Sequence, residues 1–231
     1  MTSLTNAVVL VTGANGGLGT EFVRQALARG AAKVYATARS PRTWDDERIV
    51  PIALDVTDRA SVDAAVRAAA DTTVLVNNAG IGGSAPLLET SVDDVERVFA
   101  TNVFGALRVA MSFAPHLAGG ALVDVHSVLS WLAVAGGYSA SKAAFWSITN
   151  SLRLELAPQG TQVVGAHLGY TDTGMTADLD VDKADPADIV AAIWDAVEAG
   201  EHEVLADEVS RNVRAGLSAP LPALYPALAQ G

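Results

Sequence analysis

Thr12-Gly13-Ala14-Asn15-Gly16-Gly17-Leu18-Gly19 follows a short apolar run and opens a helical stretch. The run before it, Ala7–Val11, is apolar throughout; the stretch after it, Leu18–Arg29, has helical composition and stops at Gly30. A glycine turn between strand and helix brings backbone N–H groups close to a pyrophosphate, and the helix dipole adds local positive potential. The spacing is Gly-x3-Gly-x-Gly, not the commoner Gly-x-Gly-x2-Gly. In isolation a tight turn with no ligand would read the same way, so the rest of the chain has to supply the weight.

Outward from the turn, short β-branched runs alternate with alanine-rich helical stretches. Further strands are expected at Lys33–Ala38, Ile49–Leu54, Val74–Asn77, Ala121–His126, Gln162–His167 and Glu203–Ala206. Helices are expected at Ser61–Ala70, Val92–Leu117, Tyr138–Leu156 and Pro186–Ala199. Most strands are apolar at every position, as strands buried on both faces are. The order specifies an α/β fold: a doubly wound parallel sheet (Rossmann fold) of about seven strands with helices on both faces. Residues 1–231 are expected to form one dinucleotide-binding and catalytic domain, with 207–231 as an apolar, proline-containing tail. Pro220, Pro222 and Pro226 exclude a regular helix throughout that tail, which is expected to drape over the domain or a partner subunit.

Composition narrows the function. Lys plus Arg is 15 and Asp plus Glu is 26, a formal charge of −11 that repels nucleic acid and anionic lipid. Any phosphate site must therefore come from local geometry. There is no cysteine, so disulfides and thiolate metal sites are excluded, and no metal is expected. No uninterrupted apolar run reaches the length of a membrane span, and the polar start lacks the features of a signal peptide. A cytoplasmic enzyme that binds neither membrane nor nucleic acid is the expectation.

Tyr138 and Lys142 are four apart at the start of a helical stretch, one turn apart on the same face. An ammonium beside a phenol lowers its pKa from near 10, and such a tyrosine can exchange a proton with an alkoxide. On its own the pair would usually be a surface contact.

Together the glycine turn, Asn77-Asn78-Ala79-Gly80 and Tyr138-Ser139-Ala140-Ser141-Lys142-Ala143-Ala144 resemble the classical short-chain dehydrogenases/reductases, of the NADP-preferring carbonyl reductase type. The resemblance runs from roughly residue 5 to 206. It implies catalysis by Tyr138, Lys142, Ser127 and Asn102. Ser127 would orient the substrate carbonyl, with Ser130 as the other candidate. Asn102 would hold a water that links the lysine to solvent. It also implies a dinucleotide held by Gly13, Asn15, Gly17, Leu18, Gly19, Asp55, Val56, Asn78, Ala79, Gly80, Tyr138, Lys142, Thr171 and Thr173, with Asn77 bracing the sheet. Asp55 or Asp58 could instead simply cap the following helix. NAD-preferring members carry an acid where this chain has Ala38; Arg39 follows it and can hold a 2′-phosphate, with Arg42 assisting, so NADP(H) is the expected cofactor. Asn15 stands where some NADP-preferring members have a second base.

The chain also departs from the family. Leu168 replaces a proline, and Ser127 to Tyr138 spans eleven positions, one or two fewer than usual, ending in Gly136-Gly137. That wall, with Ser127, Gly136, Gly137, Tyr170 and Met175 as substrate contacts, is expected to be open or mobile. His126 is expected to pack. The short segment between Gly169 and Pro186 suggests a small lid and a bulky hydrophobic or aryl ketone as the small-molecule carbonyl/alcohol substrate. Phe145, Trp146, Ile148 and Leu152 lie on several faces of the active-site helix and suggest burial in a homodimer or homotetramer. The alternatives are an imine or C=C reductase on the same scaffold, or a catalytically silent NADP-binding sensor. A methyltransferase would leave Tyr138, Lys142 and Asn77-Asn78 without a role.

Overall fold

The computed structural model describes residues 2–83 and 85–229. Seven strands form one parallel sheet: β1 Val8–Thr12, β2 Lys33–Ala38, β3 Ile49–Ala53, β4 Val74–Asn77, β5 Ala121–Val125, β6 Gln162–His167 and β7 Glu203–Leu205. Their order is β3-β2-β1-β4-β5-β6-β7, so the order in which strands are added reverses between β1 and β4. This is the expected doubly wound fold. The crevice at the carboxyl ends of β1 and β4 is where such a sheet binds ligands.

Alternation along each strand builds two cores. Val9, Val11, Val76 and Val123 face α1 (Gly17–Ala28) and α6 (Pro186–Ala199), where Phe22 meets Trp194 edge-on at 5.4 Å. Leu10, Leu75, Leu122 and Val163 face the other way, against α2 (Arg59–Ala68), α4 (Ala106–Phe113) and α5 (Gly136–Leu156). Local chemistry sets many of the ends. Asp58 caps α2; Asp185 caps α6, which Pro186 opens and Gly200, at φ +80°, closes.

Two expectations about helices change. The long helix expected over Val92–Leu117 is broken: α3 (Val92–Phe99) runs into a π-helical turn at Ala100–Gly105, then α4, then a 3-10 turn at Ala114–His116. The stretch Val92–His116 matches a membrane span in length, and an 18-residue window within it has a mean hydropathy of 1.2. Its apolar residues Val98, Val103, Val109 and Phe113 are nevertheless buried inside this chain. Second, the stretch read as a tail begins with a helix, α7 (Glu208–Gly216), which Asp207 and Ser210 cap reciprocally. Beyond it lies a short helix, α8 (Leu221–Leu224), and the Tyr225 hydroxyl accepts from the Ala133 N–H at 3.3 Å. The Tyr225 side chain thus reaches the segment ahead of Tyr138.

That segment is tied rather than open. The Ala135 N–H donates to Ser139 Oγ at 3.0 Å. Gly136 sits at φ +48° with its α-carbon facing the Ala85 carbonyl, and a Cβ there would lie 2.3 Å from that oxygen. Gly137 is buried against Val95. The glycines therefore admit neighbouring chain, in place of enlarging a pocket. Gly136→Ala is expected to lower unfolding stability by about 1–3 kcal/mol through left-handed strain and the displaced Ala85 backbone. Denaturant titration checks this, and an unchanged midpoint would contradict the close approach.

Candidate active site

The glycine turn packs against the end of β4. Gly19 cannot carry a side chain, because a Cβ there would lie 2.2 Å from the Gly13 carbonyl oxygen. Thr12 holds the two strand ends together. Its hydroxyl donates to the Val76 carbonyl (3.2 Å) and accepts from the N–H groups of Asn78 (3.0 Å) and Ala79 (2.9 Å). Asn78 Nδ2 donates to the carbonyls of Thr12 and Gly13 at 2.9 and 3.2 Å. Sequence reasoning missed Thr12, although a hydroxyl ending an apolar strand beside a glycine turn was visible.

A cleft of about 970 Å³ opens over this junction, bringing Gly13, Asn15, Arg39, Asp55, Val56, Ala79 and Gly80 together. Leu54, Thr57 and Ile81 also line it. Several observations fit a dinucleotide here. The N-terminus of α1 has neither a side-chain cap nor an acid in its first turn, whereas Asp or Ser caps α2, α3, α6 and α7. Its N–H groups and dipole are therefore left for an anion. Gly17 faces Thr173 across a gap that a Cβ would close to 3.0 Å. Thr171 Oγ1 is buried with no partner among the described residues. Leu18 is half-buried beside the turn.

The rim nearest Arg39 is organised by Asn15. Its Nδ2 donates to the Ser40 carbonyl at 2.7 Å, and its Oδ1 accepts from the Arg42 N–H at 3.4 Å. The Arg42 guanidinium lies 3.9 Å over the Trp44 ring. Asp55 accepts from the N–H and hydroxyl of Thr57, which with nearby Arg39 holds its carboxyl below the usual range. Asp58, not Asp55, caps α2.

The candidate catalytic residues lie just past the end of β5 and on α5. Ser127 Oγ accepts from the Leu129 N–H at 3.2 Å, which leaves its hydroxyl proton free to donate. Ser130 is buried and its hydroxyl has no partner among the described residues. Lys142 Nζ donates to the Val125 carbonyl at 2.8 Å and lies 5.7 Å from the Tyr138 ring centre. Burial lowers Lys142 to about 8, while nearby Asp124 pulls it back up. The expected direction for Tyr138 is overturned. Desolvation pushes its phenol up to about 12, and no lowering by Lys142 offsets it. Spacing places the two groups on one face, but the burial that decides the shift is tertiary.

Asn102 lies in the π-helical turn. Its Oδ1 accepts from the Ile81 N–H (2.9 Å), and its Nδ2 donates to the Ile81 carbonyl (3.0 Å) and to Ser141 Oγ (3.2 Å). Ser141 in turn donates to the Tyr138 carbonyl at 2.7 Å. Both ends of the amide are thus engaged, bracing the Ile81 loop against the Tyr138 helix. Behind Lys142, the buried carboxyl of Asp124 accepts from Asn77 Nδ2 (3.0 Å) and Thr149 Oγ1 (2.6 Å). Desolvation raises it to about 6. Sequence reasoning assigned Asp124 nothing.

Other residues lie around this group. Tyr170 and Met175 are about half exposed, and Met175 lies against Gly82. His126 is buried between the His167 and Phe145 rings. Leu168 is buried, and its carbonyl accepts from the Val128 N–H at 2.9 Å. Phe145 and Leu152 face this chain's own interior, not an outer surface.

Comparison with known proteins bears on this geometry. The family model described as short chain dehydrogenase matches residues 7–184. A short-chain dehydrogenase of Talaromyces islandicus is 37% identical over 71% of this chain and 63% of its own. An NADPH-dependent 1-acyldihydroxyacetone phosphate reductase of Schizosaccharomyces pombe is 36% identical over 71% of this chain and 60% of its own. This chain thus spans less than two thirds of the length of these curated relatives. A short chain dehydrogenase of Burkholderia cenocepacia, solved in complex with NADP, is 35% identical, with 99% of both chains covered and a TM-score of 0.92. A 3-ketoacyl-(acyl-carrier-protein) reductase of Brucella melitensis, solved with NADH, is 25% identical over 87% of this chain and 96% of its own, with a TM-score of 0.79. With the family's model matched across the glycine turn, Asn77–Gly80 and the Tyr138 helix, the chain belongs to the short-chain dehydrogenases, a family of oxidoreductases.

Proposed function

We propose that the protein is a cytoplasmic NADP(H)-dependent carbonyl reductase that interconverts a ketone or aldehyde and its alcohol. The observation that carries this reading is the placement of buried Lys142, which lies 5.7 Å from the Tyr138 ring centre and donates to the Val125 carbonyl, two residues before Ser127. When bound, NADP(H) supplies or accepts the hydride at the carbonyl carbon. The chain's own residues handle the oxygen. The free hydroxyl proton of Ser127 orients the carbonyl. Tyr138, held protonated by its upward shift, donates to the forming alkoxide. Lys142 keeps a positive charge below about 8 and stabilises the phenolate left behind. Arg39 and Arg42 would hold the 2′-phosphate, Gly13 to Gly19 the pyrophosphate, Asp55 and Val56 the adenine side, and Thr171 and Thr173 the nicotinamide side. The complex of the Burkholderia cenocepacia relative with NADP supports that cofactor, although the Brucella melitensis relative was solved with NADH.

We further propose a bulky hydrophobic or aryl ketone as substrate, taken beside Tyr170 and Met175. Wild-type enzyme is expected to oxidise NADPH with aryl ketones faster than with small polar keto acids, and Tyr138→Phe to lose at least about a hundredfold in turnover. A preference for the keto acids, or full activity of Tyr138→Phe, would sink the reading. Cofactor choice is tested separately. Arg39→Asp should weaken NADPH by about tenfold or more and favour NADH, measured as the ratio of kcat/KM. An unchanged ratio would remove Arg39 from the site. Finally, we propose that α4 and α5 pair between subunits. Phe104, Met111 and Leu154 leave exposed apolar surface on this side. Sedimentation equilibrium is expected to show a dimer or tetramer, and a monomer at micromolar concentration would reject it.

A further inference from the structure

The wall between Ser127 and Tyr138 is held from outside by the last part of the chain. A 3-10 turn, Val128–Ser130, separates Ser127 from Trp131. The Trp131 ring stacks on His167 at 4.0 Å with an interplanar angle of 20°, and His167 stacks on His126 at 5.0 Å. The Trp131 indole N–H has no partner among the described residues, so stacking rather than hydrogen bonding fixes the ring. Arg214, from α7, lies 5.3 Å from the Trp131 ring centre, and Glu203 holds the guanidinium at 3.4 Å. Burial lowers His167 to about 4, so the ring is neutral near pH 7. Its Nδ1 faces the Ser127 carbonyl at 3.4 Å, where only an N–H is compatible with that oxygen. The column thus runs from the surface through Trp131 and His167 to the backbone of Ser127 itself.

Two further ties come from the same region. Asp207, which caps α7, accepts from the Gly169 N–H at 2.7 Å, at the root of the segment carrying Tyr170, Thr171 and Thr173. Past α8, the Tyr225 hydroxyl accepts from the Ala133 N–H in the middle of the wall. The C-terminal part therefore touches both sides of the substrate mouth.

We propose that Arg214 and Tyr225 are positioning residues: they hold the shortened wall in register and so set the orientation of Ser127 and the width of the pocket. This rests on the carbonyl-reductase reading of Ser127 and Tyr138. The geometry explains how a wall that is short and ends in glycines stays defined. To the wall's own ties, such as the Ala135 N–H to Ser139 Oγ bond, α7 and Tyr225 add support from outside.

Arg214→Gln and Tyr225→Phe each remove one tie from a partly exposed position. Amide hydrogen exchange over residues 127–135 is expected to quicken by about two- to fivefold in Arg214→Gln, the range for losing one exposed cation–π contact, while exchange in α1 stays as in wild type. Tyr225→Phe should quicken exchange at Ala133 and its neighbours. With NADPH, KM for a bulky aryl ketone is expected to rise by a similar factor of about two to five, with a small ketone and the KM for NADPH unaffected. Arg214→Lys, which keeps a cation over the ring, should restore wild-type exchange. Unchanged exchange in both variants overturns the proposal, whatever the activity. So does a KM shift that is the same for large and small ketones. A wild-type enzyme that reduces no ketone would instead overturn the carbonyl-reductase reading, while the exchange measurement still decides the role of Arg214 and Tyr225.

Discussion

The hydroxyl of Thr12 makes three hydrogen bonds at the point where the sheet reverses, one donated to Val76 and two accepted from the N–H groups of Asn78 and Ala79. A hydroxyl has one proton and two lone pairs, so this group is saturated. Asn78 returns the connection by donating to the Thr12 and Gly13 carbonyls. β1 and β4 diverge beyond this junction, and their ends would otherwise present unpaired backbone groups in a partly buried crevice. With those groups satisfied by side chains, the glycine turn and the Asn77–Gly80 segment keep a fixed separation. The cleft over Arg39 and Asp55 exists because that separation holds.

The polar layer beneath the active site depends on a second constraint, the burial of Asp124. Its carboxyl is wholly buried and meets two neutral donors, Asn77 and Thr149, with Lys142 and Arg153 as the cations that act on it. Burial raises Asp124 and lowers Lys142, so each loses part of its preference for charge, and each restores some of it in the other. Lys142 is therefore poised near neutrality while anchored to the Val125 carbonyl. Tyr138, with no such counter-charge offsetting its desolvation, moves the other way.

How much of this was readable in the sequence follows from the range of the forces involved. The ends of α6 were readable to the residue, because Asp185, Pro186 and Gly200 act within one turn of the helix. The strands β2, β4 and β6 were equally legible, as short runs rich in β-branched and apolar residues. The break at Ala100–Gly105 was not. Asn102 is a weak helix former, but what occupies its amide is the backbone of Ile81 and the hydroxyl of Ser141, both brought there by tertiary contact. Likewise Gly136-Gly137 suggested an open wall, since a glycine's freedom is local information while the Ala85 carbonyl and Val95 that fill the space are distant in sequence. The helix after Asp207 was legible in principle from its cap, but the prolines farther on dominated the reading of that stretch.

The acidic surface and the anionic cofactor can be reconciled on the same grounds. A formal charge of −11 opposes the approach of a dinucleotide phosphate, and solvent screens that field within about 8 Å at physiological ionic strength. What acts inside that distance is short-range. The uncapped first turn of α1 offers N–H groups, and Arg39 and Arg42 stand across the turn, held there by Asn15 through Ser40 and the Arg42 backbone. Asn15 thus ties the glycine turn to the basic loop through two hydrogen bonds. The Arg42–Trp44 stack gives the basic loop a defined conformation.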